Sequence, residues 1–462
     1  MADLTVHSTA IPGLLVIDLP LHGDARGWFK ENWQRAKMIE LGLPDFGPVQ
    51  NNMSFNAAAG STRGLHAEPW DKLISLAHGR IFGAWVDLRP GESLGSVVTL
   101  EMGTDRAVFV PRGVANGYQA LEPDTIYSYL VNDHWSPEAR DSYTYLNLAD
   151  ETAAIPWPIP LDRAELSAAD KAHPRLADVT PMRPRRTLVV GASGQLAQAL
   201  AARIPDALTL GRPELDVTDP ATLKGVDWRS VGTIVNASAY TAVDAAETEV
   251  GRRDAWAVNV TGLGRLVEIA RHYRIGLVHV SSDYVFDGGA EVHTEDEPLS
   301  PLGVYGQTKA AGDALVATLP RHWIVRTSWV IGEGNNFVRT MASLADRGIS
   351  PSVVGDQFGR LTFTDDLSAG IAHLIDTHAP AGTYNLTNAG PTMSWADIAK
   401  RVFELRGRSG SDVTEVTTAE YFAGKTMAPR PLHSTLDLTK LASVGFAPAD
   451  ADDRLVEYLR DR

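Results

Sequence analysis

From Thr187 onward the chain alternates apolar strands with helices, with glycine turns at the joins. The runs TLVVGASGQLAQALAARI, ALTLG, GTIVNASAY, VNVTGLGRLVEIARHY, GLVHVSS and HWIVRTSWV follow one another in that order. Strands separated by helices cannot close as hairpins. Each helix must cross over and cover a face of the sheet. The pattern therefore predicts an α/β unit built on a doubly wound parallel sheet.

The first third has a different period. Short apolar or alternating runs (KLISLAHG, RIFGAWVDL, SVVTLEM, AVFVP and TIYSYLV) are punctuated by Gly, Pro and Asp. Strand signals at about eight to twelve residue intervals predict an all-β sandwich, jelly roll or barrel. One helical stretch stands near Gln34–Leu41. Between the two patterns, KAHPRLADVTPMRPRR is proline-rich and basic with no apolar period. It reads as a linker that breaks near Met182–Arg186. The expected domains are residues 1–182 and 183–462.

With 462 residues, 44% of them hydrophobic, each domain has material for its own core. A formal charge of −15 argues against a nucleic-acid footprint or an anionic membrane surface, so an anionic substrate needs a local basic site. The chain has no cysteine, which excludes disulfides, thiolate metal sites and a cysteine nucleophile. That composition suits a reducing cytosol. The N-terminus lacks a basic segment leading into an apolar core, so no signal peptide is expected. No apolar run reaches the roughly 18 residues of a membrane span. The expected setting is cytoplasmic, with no nucleic-acid or membrane partner.

Gly191-Ala-Ser-Gly194-Gln-Leu-Ala197 follows an apolar strand and opens a helix. Glycine at 191 permits a tight turn, glycine at 194 lets backbone approach a pyrophosphate, and Ala197 lets helix and sheet pack closely. The phosphates would lie on the helix N-terminus. Arg212, just past the second strand, suits an adenosine 2′-phosphate or is a solvated surface arginine. Tyr305 and Lys309 are spaced i, i+4 and share one helix face. A neighbouring ammonium is expected to lower the phenol toward neutrality, so that the tyrosine can give a proton to a carbonyl oxygen as hydride reaches the carbon. Ser282, at the end of VHVSS, can hydrogen-bond the same oxygen. In the β domain, His66, Lys72, Tyr129 and Asp170 are candidates for acid–base work, and the sequence alone does not place them together.

The C-terminal stretches GASGQLAQAL, VNASAYTAVDAAETE, HVSSDYVFDG, PLGVYGQTKAAGD, RTSWVIGEGNNFV and VVGDQFGRLTFTDDL closely resemble the dTDP-4-dehydrorhamnose reductases, which are extended short-chain dehydrogenase/reductases. The resemblance implies a Rossmann-type sheet with a small substrate-binding lobe. It implies that Ser282, Tyr305 and Lys309 are catalytic and that NADPH or NADH is the cofactor. Gly191, Gly194, Gln195, Leu196, Arg212, Asp216, Val217, Ala237, Ala239, Tyr240, Tyr305 and Lys309 would hold that cofactor. Val243, Asp283, Tyr284 and Trp329 would border the sugar.

The N-terminal stretches DARGWFKE, VQNNMS, RGLH, FVPRGVANGYQ, IPWP and LSAAD resemble the dTDP-4-dehydrorhamnose 3,5-epimerases, which are cupin-type jelly rolls. The resemblance makes His66 the base, Asp170 its partner, Tyr129 the acid and Lys72 the cation beside the enolate oxygen. Arg26, Phe29, Glu31, Gln50, Asn52 and Arg63 would bind nucleotide and diphosphate. Three departures stand out: a short loop from His66 to Lys72, Asn116 in place of a histidine, and Trp135 in place of a tyrosine. Cupin metals need histidines and a glutamate at set positions, and here only His66 and Glu68 remain, so no metal is expected. The resulting reading is a multidomain enzyme that epimerises C3 and C5 of a dTDP-4-keto-6-deoxyglucose-type sugar and then reduces C4. A homodimer through the jelly roll is implied by the same resemblance. The alternative keeps the reductase on another nucleotide sugar, UDP-linked or talose-forming, with the β domain as a binding or dimerisation module.

Overall fold

The structure, a computed structural model, describes residues 4–424 and 427–460. The chain separates into two compact units, Met1–Pro184 and Arg185–Arg462.

The first unit is a jelly roll of two antiparallel sheets. One sheet runs Thr5–Ser8, Leu15–Asp18, Arg106–Val110, Lys72–His78, Thr125–Val131, Gln50–Asn56. The other runs Thr144–Tyr145, Thr62–Ala67, Val114–Ala120, Ile81–Asp87, Val97–Met102. Ile74, Leu76 and Val108 from the first sheet and Ile81, Trp85 and Tyr118 from the second share one buried core. Burying each such side chain is worth roughly 1.5–3 kcal/mol. The expected helix forms at Arg35–Glu40, where the Gln34 side chain accepts from the Lys37 amide at 2.7 Å.

The second unit has a six-stranded sheet in the order Leu208–Leu210, Arg186–Val190, Val231–Asn236, Gly276–Ser282, His322–Thr327, Gly382–Asn385. Every pairing in it is parallel. The chain starts at Arg186–Val190, moves outward to one side, and then returns to build the other side from Val231–Asn236. That reversal opens a crevice at the carboxyl ends of these two strands. Apolar cores cover both faces of the sheet, one around Leu266 and Leu277 and one around Leu200 and Leu367. A smaller lobe packs helices Phe337–Asp346, Trp395–Leu405 and Ala451–Arg460 around Val402, Phe403 and Leu455. No helix among the described residues is long and apolar enough to cross a membrane.

Candidate active sites

In the jelly roll, His66 lies on Thr62–Ala67 and Asp170 on the short helix Ala168–Lys171, whose cap Ser167 accepts from the Asp170 amide. His66 Nε2 and Asp170 Oδ1 are 2.9 Å apart. Burial pushes the Asp170 carboxyl up, but His66 and Ser167 together bring it below the usual carboxylate value. Across the strand pair His66 faces Asn116. Asn116 Oδ1 accepts from Lys72 Nζ at 2.6 Å, and its amide donates to the Tyr127 hydroxyl at 3.1 Å. Lys72 Nζ also pairs with Glu68 Oε1 at 2.5 Å and stands 5.6 Å from the centre of the Tyr129 ring. Burial pulls the Lys72 ammonium down, and Glu68 works against that. Burial, then the charge of Glu68, pushes the Tyr129 phenol up to about 12, against a hydrogen bond from Asn52. At neutral pH Tyr129 therefore carries a proton it can give away.

The remaining predicted residues of this unit divide into two groups. Gln50 and Asn52 are hydrogen-bonded to each other at 2.8 Å on the strand that pairs with Tyr129. Arg63 donates to Asn56 at 3.4 Å on the same side. Arg26, Phe29 and Glu31 lie instead on or just past an exposed hairpin, His22–Asp24 with Gly27–Phe29. Arg26 is paired with Asp24, Glu31 with Lys37, and the Phe29 ring is 64% exposed.

In the second unit, Gly191 turns the chain at φ +101°, and a Cβ there would stand 3.0 Å from the Ser238 amide. Helix Gln195–Arg203 starts at Gly194 without a side-chain cap. Its first-turn amides thus lie at the crevice beside Ala237, whose amide bonds Val190 O. Leu196 and Val217 are buried. Ala239 lies in the loop that follows the strand Val231–Asn236, and the Tyr240 backbone next to it is held on both sides by Asn259. Arg212 is exposed and reaches within 3.8 Å of Asp216, which is bonded to Thr218.

Helix Val304–Val316 carries Tyr305 and Lys309 past the end of Gly276–Ser282. Ser282 donates its proton to Asp283 Oδ1 at 2.9 Å, and its hydroxyl pulls the Tyr305 phenol down. Lys309 Nζ donates to Val280 O at 2.6 Å and lies 3.3 Å from His279 Nε2. One turn on, Asp313 is 3.1 Å from Arg326 Nε. The expected lowering of the Tyr305 phenol is not what the structure shows. Burial, then the charge of Asp283, pushes it up to about 12, because the ammonium is aimed at Val280 and His279 rather than at the phenol. Burial also pulls Lys309 down to about 8, with Asp313 opposing, and pushes Asp283 up to about 6. The set therefore holds its proton on Tyr305.

Beside Tyr284 opens a cleft of about 400 Å³ that also takes in Trp329, Phe337, Gln357, Trp395 and Arg430. Trp329 stacks on Trp395 at 3.8 Å, and Tyr284 meets the Tyr305 ring edge-on at 5.5 Å. Arg430 is anchored by Asp244 at 2.8 Å. Val243 does not line this cleft; its amide bonds Thr241 O.

Residues 185–462 match the family described as RmlD substrate binding domain, and residues 8–178 match dTDP-4-dehydrorhamnose 3,5-epimerase. The second unit resembles the dTDP-4-dehydrorhamnose reductase of Aggregatibacter actinomycetemcomitans, 39% identical over 285 residues that span 57% of this chain and 95% of that one. The first resembles the RmlC homolog of Streptococcus pyogenes, 51% identical over 180 residues that span 38% of this chain and 90% of that one. The chain belongs to the dTDP-4-dehydrorhamnose reductases, with a 3,5-epimerase domain fused ahead of the reductase. A solved dTDP-4-dehydrorhamnose reductase from Bacillus anthracis, in complex with NADP, is 32% identical, has a TM-score of 0.55, and covers 60% of this chain and 99% of its own.

In the epimerase domain, motif reasoning did not single out Glu68 as the partner of Lys72 and of the Trp70 indole, nor the rings of Tyr145 and His173 around His66. In the reductase domain it missed Asn259, His279, Asp313 and Arg430. Asp313 alone carried a local signal, since it extends the Tyr305, Lys309 spacing by one more turn.

Proposed function

We propose that this chain is a bifunctional enzyme that converts dTDP-4-keto-6-deoxyglucose into dTDP-L-rhamnose, epimerising C3 and C5 in the first domain and reducing the C4 ketone in the second. The observation that carries the reading is that the helix with Tyr305 and Lys309 lies along the strand that ends at Ser282, with Lys309 bonded to Val280 O, in a parallel sheet whose first strand runs into the Gly191 turn.

In the epimerase, Asp170 takes the Nε2 proton of His66 as a hydrogen bond and so leaves Nδ1 with a lone pair for the carbon-bound proton. The resulting enolate oxygen needs a cation, and Lys72 has one N–H beyond those given to Glu68 and Asn116. Tyr129 returns a proton to carbon. Gln50, Asn52 and Arg63 stand on the same side for the nucleotide; Arg26, Phe29 and Glu31 present a further set on the hairpin.

In the reductase, the residues present fit a dinucleotide. The Gly191 turn has room for no side chain, and the uncapped helix start offers amides to a diphosphate. Gly191, Gly194, Gln195 and Leu196 would cradle the diphosphate; Arg212, Asp216 and Val217 the adenosine end, with Arg212 favouring NADPH; and Ala237, Ala239, Tyr240, Tyr305 and Lys309 the nicotinamide end. When bound, the cofactor supplies the hydride equivalent for C4. Tyr305 holds the proton for the ketone oxygen, Ser282 fixes the phenol, and the Lys309 ammonium steadies the same end. Asp283, Tyr284 and Trp329 would border the sugar, with Val243 further out.

A cytoplasmic setting and a homodimer complete the proposal. The dimer is supported by the edge strand Gln50–Asn56, where Met53 and Phe55 are 66% and 57% exposed. Two variants test the assignment of roles. Tyr305→Phe should lose C4 reduction by at least about a hundredfold while still binding NADPH. His66→Ala should stop solvent deuterium entering C3 and C5, yet still reduce sugar that has already been epimerised. Retained reduction in the first variant, or retained exchange in the second, would refute the role concerned.

A further inference from the structure

We propose that His66, Asp170 and His173 form a binding site for a divalent transition-metal ion, and that the ion arrests the epimerase domain by replacing the proton shared between His66 and Asp170. One donor atom from each residue lies within 4.8 Å of the other two. Two separate segments supply them: the strand Thr62–Ala67 brings His66, and the helix Ala168–Lys171 with the turn after it brings Asp170 and His173. His66 Nε2 and Asp170 Oδ1 stand 2.9 Å apart. Two donors on a four-coordinate ion with bonds of about 2.0–2.1 Å are separated by roughly 3.3 Å, so this pair needs almost no movement. His173 needs a modest ring shift. Its ring is stacked on Tyr145 at 4.6 Å and meets His66 edge-on at 5.3 Å.

Two imidazoles and one carboxylate select Zn²⁺, Cu²⁺, Ni²⁺ or Co²⁺ over Mg²⁺ and Ca²⁺. The His66 side chain is 33% exposed, so an ion can enter from solvent and keep water in its open position.

Of the three, only His66 is among the jelly-roll positions weighed from the sequence. Glu68 is engaged by Lys72 and Trp70, and Asn116 by Lys72 and Tyr127. The ion is therefore an inhibitor and takes no part in the reaction. To bind at Nε2 the ion needs the lone pair there, so the ring proton moves to Nδ1, and the lone pair that would take the carbon-bound proton is gone; Asp170 is occupied as well.

The binding claim stands on geometry alone; the inhibition claim rests on the proposed role of His66. The test uses the untagged full-length chain and Co²⁺ as a probe. One equivalent of Co²⁺ should give the visible absorption of a four- or five-coordinate ion, and one equivalent of Zn²⁺ should abolish it. Zn²⁺ should also stop deuterium exchange at C3 and C5, and a chelator should restore it. His173→Gln should lose at least about tenfold in Zn²⁺ affinity and in Zn²⁺ inhibition, the latter read against the variant's own exchange rate in metal-free buffer. His173→Asn is the second variant if the first fails to fold. An unchanged Co²⁺ spectrum in the folded variants, or the lack of a one-to-one Co²⁺ signal in the parent chain, would overturn the site. Binding through His173 in a chain that shows no exchange even without metal would instead overturn the epimerase reading and leave the site standing.

Discussion

Lys309 sits where burial and charge pull in opposite directions. Burial lowers its ammonium to about 8, and Asp313, one helical turn away, raises it. If the charged form steadies the reacting end, C4 reduction should fall as pH rises through about 8, while Tyr305, pushed up to about 12, stays protonated across that range. Replacing Asp313 by Asn removes the charge that favours the ammonium. Lys309 then loses its proton earlier, and the alkaline limb of kcat should move to lower pH, with Asp313→Glu restoring it. A pH profile in Asp313→Asn that overlays the parent would contradict this account. Tyr305 and Lys309 were legible because their pairing is local, one turn apart on a helix. The direction of the phenol shift was not legible. It depends on where the ammonium points, and that is set by Val280 and His279 on a strand distant in sequence.

The helix Val304–Val316 must lie close against the segment after Ser282 for Tyr305 and Ser282 to meet. Gly306 makes this possible: a Cβ there would collide with the Tyr284 carbonyl, and one at Gly312 would press on Leu263 and His279. Gly306→Ala should therefore push the helix outward and lower kcat by on the order of a hundredfold, since a displacement near 1 Å is enough for that loss. Gly264→Ala, which has only Leu315 at 3.9 Å nearby, is the control and should change kcat little. Steady-state kinetics with circular dichroism as a folding check decides the comparison. At this scale the sequence served well for strands. The runs at 72–78, 81–87, 97–102 and 125–131 form strands where the alternation placed them. It served less well for the predicted helix VNVTGLGRLVEIARHY, which continues a helical run begun at Glu249. That run passes through a π turn at Ala257–Gly262, which lets Asn259 reach both the Tyr240 backbone and Thr308. A residue that bridges a loop and another helix leaves no mark in a 3.6-residue period.

Two units with separate cores give one chain room for two successive steps on one sugar. The linker composition and the switch of hydrophobic period were readable because they are properties of long stretches. The joining of His66 to Asp170, 104 residues apart, came from resemblance and not from spacing. Tethering raises the local concentration of the keto intermediate near the second site. Both steps then occur on this chain, epimerisation before reduction. The most direct measurement is to incubate the full-length protein with dTDP-4-keto-6-deoxyglucose and NADPH in deuterated water and examine the product by NMR. The expected product is dTDP-L-rhamnose carrying deuterium at C3 and C5; a reduced sugar with protium at both carbons, or no NADPH consumption, would refute the two-step reading.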